Sequence, residues 1–163
     1  MQRLFLLLCS VLAALGLAAC DYFALRELEP GVSTATDVRE RFGAPGMEWR
    51  NDDGSVTWEY SRQPEGTQCW MITIGPDEVL RSIDQVLNES GFARIERGMT
   101  GDDVRRILGK PASQQYLELA QQTVWNWRIE PPPPSRDPTF FTVHFNADGR
   151  VVKTSRNTEY RGG

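Results

Sequence analysis

The side chains with the most reactive chemistry in this chain are few: one histidine, His144, and three cysteines, Cys9, Cys20 and Cys69. A Ser-His-Asp relay would have to use His144, yet it alternates with Val143 and Phe145 in an extended run, on the face opposite to theirs. One histidine and Cys69 cannot supply the usual nitrogen and sulfur ligands of a metal site, and no metal or cofactor is expected. Cys69 has no cationic neighbour in sequence to lower its pKa, so it reads as a covered, unreactive thiol. The carboxylate pairs Asp52-Asp53 and Asp102-Asp103 fall at a turn and at a helix N-terminus, where they have structural reasons to be. The chemistry of these residues points to a protein that is not an enzyme.

Cys20 stands apart. Arg3 is followed by an apolar run from Leu4 to Leu15, long enough for a helix of about 18 Å, which falls short of a ~30 Å hydrocarbon core. A removable signal over residues 1–19 is the better reading. The run leads into Leu17-Ala18-Ala19-Cys20, which resembles the lipobox of bacterial lipoproteins. That resemblance implies that Cys20 becomes the acylated first residue of the mature chain, palmitate among its acyl groups, and that membrane attachment needs no spanning helix. Asp21, directly after it, resembles a signal for inner-membrane retention in some Gram-negative bacteria.

Loss of Arg3 with the signal moves the formal net charge from -4 to -5. Such an acidic balance disfavours nucleic acid and anionic lipid headgroups as partners. No small-molecule substrate is suggested. With Cys9 removed and Cys20 acylated, Cys69 has no partner for a disulfide, so packing must hold the fold.

The elements that position these residues come as a repeat with an offset of 66 to 71 residues. Gly31, Thr34, Asp37, Val38, Phe42, Gly43 and Pro45 pair with Gly98, Thr100, Asp103, Val104, Leu108, Gly109 and Pro111. Thr34 and Thr100 read as N-caps, with Asp37 and Asp103 three residues on completing a capping box. Gly43 and Gly109 suit a left-handed position after each helix, and the prolines stop it from resuming. Leu25 with Leu28, and Phe92 with Ile95, indicate a further short helix upstream in each unit. The first of these would begin at Asp21 or Tyr22, leaving almost no tether and holding the first unit close to the bilayer.

Downstream the apolar period becomes two. Trp58 and Tyr60, Trp70 with Ile72 and Ile74, Trp125 and Trp127, and Phe141 with Val143 and Phe145 mark half-buried antiparallel strands. Trp58 with Tyr60 and Trp125 with Trp127 each project from one strand face. They either pack beneath the helices or line a concave sheet able to grip a partner. The Pro131 to Pro134 run reads as a stiff exposed loop. The expected fold is α+β: two tandem modules, each of two short helices followed by a three- or four-stranded antiparallel sheet. They would span residues 20–87 and 88–157, with a C-terminal tail at 158–163.

Gly98-Met99-Thr100, Val104, Leu108-Gly109-Lys110-Pro111, Trp125-Asn126-Trp127 and Val143-His144-Phe145, followed by Asp148-Gly149-Arg150-Val151, resemble the outer-membrane assembly lipoprotein BamE (SmpA/OmlA) family. Gly31, Val38, Gly43-Ala44-Pro45 and Trp58-Glu59-Tyr60 form a weaker copy. Family members usually have one module, and this chain has no counterpart of the Tyr-Arg-x-Asp-x-x-Gln-Gly-Asn stretch that precedes it there. The resemblance implies a two-helix, three-stranded module, also seen twice in tandem in secreted β-lactamase inhibitor proteins. It further implies a periplasm-facing accessory or scaffold role at the outer membrane, with envelope proteins and the β-barrel assembly machinery as partners. A protein that grips a periplasmic or secreted enzyme through the aromatic sheet face is the alternative.

Overall fold

The computed structural model describes Leu25, residues 27–130 and residues 137–158. The signal at 1–19, Cys20, Asp21, the start of the first helix, the Pro131 to Pro134 run and the tail beyond Thr158 lie outside the described residues. No helix among the described residues is long and apolar enough to cross a membrane.

Two helices begin in the same way. α1 (Ala35–Phe42) follows Thr34, whose hydroxyl accepts from Asp37 N–H while the Asp37 carboxylate accepts from Thr34 N–H. α3 (Gly101–Leu108) repeats the box with Thr100 and Asp103. Each box satisfies two of the orphan donors of a first turn, and such a cap contributes about 1 kcal/mol. α2 (Glu89–Phe92) is a single turn capped by the Asn88 side chain, which accepts from Gly91 N–H.

The helix ends differ from expectation. Gly43 and Gly109 have φ of 79° and 75°, as expected, but their ψ values are -159° and -168°. That is the mirror-extended region, which is essentially restricted to glycine, rather than the left-handed helical well that Asn also visits. The chain leaves each helix straight into a strand, and this backbone turn is what makes the tight exit possible.

Among the described residues, α1 leads into one four-stranded antiparallel sheet in meander order, and α2 with α3 leads into a second. The first holds β1 (Met47–Arg50), β2 (Val56–Ser61), β3 (Cys69–Ile74) and β4 (Leu80–Gln85); the second holds β5 (Ser113–Leu117), β6 (Gln122–Arg128), β7 (Thr139–Phe145) and β8 (Val151–Thr158). The equivalence extends to irregularities. The register slips between Thr73 and Ile74 on the β3–β4 pair and between His144 and Phe145 on the β7–β8 pair. Thr34 bridges to Val79, and Thr100 to Arg150. Gly31 N–H reaches Leu80 C=O, and Gly98 N–H reaches Val151 C=O.

The layers run α1, first sheet, α2 with α3, second sheet. Leu28, Val38, Trp58, Tyr60, Ile72, Ile74 and Leu80 form the core between α1 and the near face of the first sheet. Cys69 and Met71, from the other face of that sheet, belong to a second core with Val104, Leu108, Trp127, Phe141 and Val143. The central strands β2 and β3 are therefore not half-buried as their alternation suggests: Trp58, Glu59 and Tyr60 are all buried in succession. The physical reason is that α3 lies across the face that alternation alone assigns to water.

Candidate functional site

Trp58, Tyr60, Trp125 and Trp127, read from the sequence as either core or partner surface, pack inward. Trp58 and Tyr60 are buried, Trp127 is completely so, and Trp125 is half-buried at the edge of the second core. Tyr60 and Trp127 occupy equivalent places and do equivalent work. The Tyr60 hydroxyl donates to Gly43 C=O and the Trp127 indole N–H donates to Gly109 C=O, each at 3.0 Å. Each ring thus fills the core and satisfies an otherwise orphaned helix-terminal carbonyl. Helices cover the face on which these rings stand, the first of the two arrangements considered for them. Cys20 lies outside the described residues.

The groups that converge are others, and they sit where the two units meet. The Glu59 side chain is 1% exposed and accepts from Arg105 Nε and Nη2, both at 3.2 Å, and from the backbone N–H of Lys110 at 3.2 Å. A buried carboxylate is tolerable only with such a complete set of donors, here a two-point guanidinium fork plus an amide. Beside it, the Gln63 amide takes both backbone groups of Arg128, donating to its C=O at 2.8 Å and accepting from its N–H at 3.1 Å. Gln63 thereby stands in for a neighbouring strand where β5 has ended. Arg128 Nη1 donates back to Glu65 C=O, and the guanidinium of Arg106 lies 4.7 Å from the Trp49 ring centre.

Two open clefts flank this junction. One, of about 440 Å³, is lined by Thr57, Thr73 and Asp84 of the first sheet, by Asn51 just after β1, and by Arg94 and Arg106. The other, of about 480 Å³, contains Arg62, Arg105 and Lys110 with Glu59 beneath. Basic side chains outnumber acidic ones in both, although the chain as a whole carries a formal charge of -4. The clefts suit carboxylates and other polar groups of a partner surface.

The reactive residues take no part in them. Burial, aided by the neighbouring Glu59 charge, pushes the Cys69 thiol up to about 12, so it stays protonated at neutral pH. His144 is lowered by partial burial and then by Lys153, and its two ring nitrogens lie 3.3 Å from Gln122 Oε1 and 3.2 Å from Ser155 Oγ. Among the described residues no three His, Cys, Asp or Glu side chains gather as they would around a metal ion.

Glu59, Gln63 and Arg128 carry no signal in the repeat pattern, Glu59 occupying the place of Asn126; Arg105 does repeat Arg39, but Arg39 pairs with Glu48 at the surface, so the match does not point to a buried partner. One hint was present in the sequence. Cys69 and Met71 put apolar atoms on the supposedly wet face of β3, which a solvated sheet face does not need.

No protein-family model and no curated protein sequence matches the chain. Among solved structures, the candidate osmotically inducible lipoprotein OsmE overlays 45% of this chain and 75% of its own at 19% identity and a TM-score of 0.36. YjgB, a DUF4309 family protein from Bacillus subtilis, overlays 82% of this chain and 83% of its own at 15% identity and a TM-score of 0.32. A candidate β-lactamase inhibitor protein from Streptococcus mutans overlays 85% of this chain and 96% of its own at 10% identity and a TM-score of 0.34. These overlays are too loose to carry an argument about this chain.

Proposed function

We propose that the chain is a non-enzymatic lipoprotein, anchored through Cys20, that acts as a scaffold or accessory subunit in outer-membrane protein assembly or envelope integrity. The observation that carries this reading is the junction. Two sheet units are held together by an ion pair whose carboxylate is buried and fully satisfied, and the clefts beside it are open and polar, with more basic than acidic side chains. The thiol and imidazole are taken up in the packing, which leaves recognition as the work the surface is equipped to do. Tandem BamE-like modules account for the repeat of caps, glycine exits and aromatic donors. The outer membrane is the proposed address, with Asp21 favouring the inner membrane as the competing one. The aromatic sheet face has no place in the mechanism, because its rings are covered.

Cys20→Ser tests the anchor. The wild-type chain is expected in the membrane fraction with a mass corresponding to residues 20–163 plus acyl chains, and the variant is expected to lose both the lipid and the membrane association. An unmodified wild-type mass would remove the lipoprotein reading.

A further inference from the structure

The two clefts beside the junction differ in what they leave unpaired. In the one that holds Glu59, Arg105 is already committed to that carboxylate. The other is lined by Arg94 and Arg106, and its floor is the face of the first sheet on which Trp49, Thr57 and Thr73 stand in register on β1, β2 and β3. Asn51 uses both amide hydrogens there, donating to Ser55 Oγ at 2.9 Å and to Thr57 Oγ1 at 3.0 Å. Thr57 and Thr73 share one hydroxyl–hydroxyl bond at 3.2 Å. Whichever of the two donates, the hydrogen of the other is left without an acceptor.

The guanidinium groups add to this surplus. Arg106 makes one long bond, from Nη1 to the Arg50 C=O at 3.4 Å, and Arg94 has no hydrogen bond or ion pair among the described residues. The buried indole N–H of Trp49 also lacks an acceptor. Against these donors stands one carboxylate, Asp84, which already accepts from Ser82 Oγ at 2.9 Å. The fold does not demand the arrangement, since the equivalent register pair on the second sheet is Val124 with His144. What the cleft lacks is acceptors and negative charge.

Taking the scaffold reading above as given, we propose that the partner enters this cleft as a short extended segment presenting one carboxylate side chain, which accepts from Arg94, Arg106 and the spare threonine hydroxyl. From β1 to β4 the floor crosses three interstrand spacings, about 14 Å, the length of about four extended residues. Two guanidinium charges against Asp84 leave a net charge that one carboxylate balances and a doubly charged phosphate overshoots. Charge-assisted bonds are about twice as strong as neutral ones, so glutamate is preferred over glutamine of the same shape. Both arginines are exposed, so the attraction weakens with added salt.

The isotope-labelled, lipid-bearing chain in detergent micelles reports the cleft through the indole N–H signal of Trp49, the one of five that Trp49→Phe removes. A pool of acetylated, amidated tetrapeptides with glutamate fixed at the second position and the others mixed is expected to move that signal, less so as salt is added. The matching glutamine pool is expected to leave it in place. Arg94→Gln with Arg106→Gln is expected to weaken the response about tenfold, the remaining indole signals staying where they are as the sign of an intact fold. No movement with the glutamate pool, equal movement with the glutamine pool, or equal movement with sodium acetate or inorganic phosphate at the same concentration would overturn the proposal. Envelope partners recovered from membranes while the glutamate pool moves nothing would remove this cleft assignment and leave the scaffold role standing; the reverse pair of results would remove the scaffold role instead.

Discussion

Glu59 is the residue on which the junction depends, and its energetics are asymmetric. Removing Arg105 while Glu59 stays buried leaves a charge without its main partner, and Arg105→Met is expected to lower the unfolding free energy by about 3 kcal/mol. The double substitution Glu59→Leu with Arg105→Met should recover much of this loss. Urea denaturation of the two variants decides the matter; equal losses would mean that Glu59 is not buried at the junction. Cys69 offers a pH test at the same place. Its thiol has an ordinary value near 9 and is raised to about 12 in the folded protein, so the unfolded chain releases its proton first as pH climbs. Stability from this group is complete below pH 9 and falls between about 9 and 12, with a slope approaching 1.4 kcal/mol per pH unit. Cys69→Ala should remove that part of the alkaline decline, and wild-type Cys69 should resist thiol reagents until the chain unfolds.

At the scale of elements, the two helix exits share a backbone conformation but not their surroundings. A methyl group on Gly43 would meet nothing within 4 Å, whereas one on Gly109 would sit 2.3 Å from Cys69 Sγ. Gly43→Ala should therefore cost the strain of its φ and ψ alone, about 1–3 kcal/mol. Gly109→Ala should cost at least 1 kcal/mol more, because the crowded core must also give way. Thermal unfolding of the two variants side by side measures the difference, and equal losses would show that α3 does not close on β3. These elements also show what the sequence could convey. The Thr-Asp boxes, the glycine-proline exits and the period-two aromatics are local, so spacing alone reveals both helices and the central strands. β1 and β5 are too short and too polar to announce themselves. The ψ at Gly43 and Gly109 follows from the strand that comes next, not from the residue type.

At the scale of the whole molecule, the units meet through contacts between residues far apart in sequence, and this is why the candidate site was the least legible part. Arg105 lies on the polar side of an amphipathic helix and Glu59 on the polar side of an alternating strand, and each reads as solvated until the two are laid together. Only the odd apolar pair Cys69 and Met71 pointed to a covered second face. Because that face belongs to one unit and its cover to the other, the two should unfold together. A chain ending at Leu87 would expose Cys69 and Met71 and is expected to lack a cooperative transition by circular dichroism, whereas a sharp independent transition would show that the first unit needs no cover.

The scaffold role proposed for the chain rests on binding at the two open clefts beside its junction. The direct measurement is recovery of the lipid-bearing protein from membranes after crosslinking, with the captured chains identified by mass spectrometry. Envelope proteins, barrel-assembly subunits among them, are expected with wild type and are expected to fall away when Arg94 and Arg106 of the first cleft are both changed to Glu. Recovery of the protein with no envelope partner, from membranes in which it is abundant, would contradict a scaffold role.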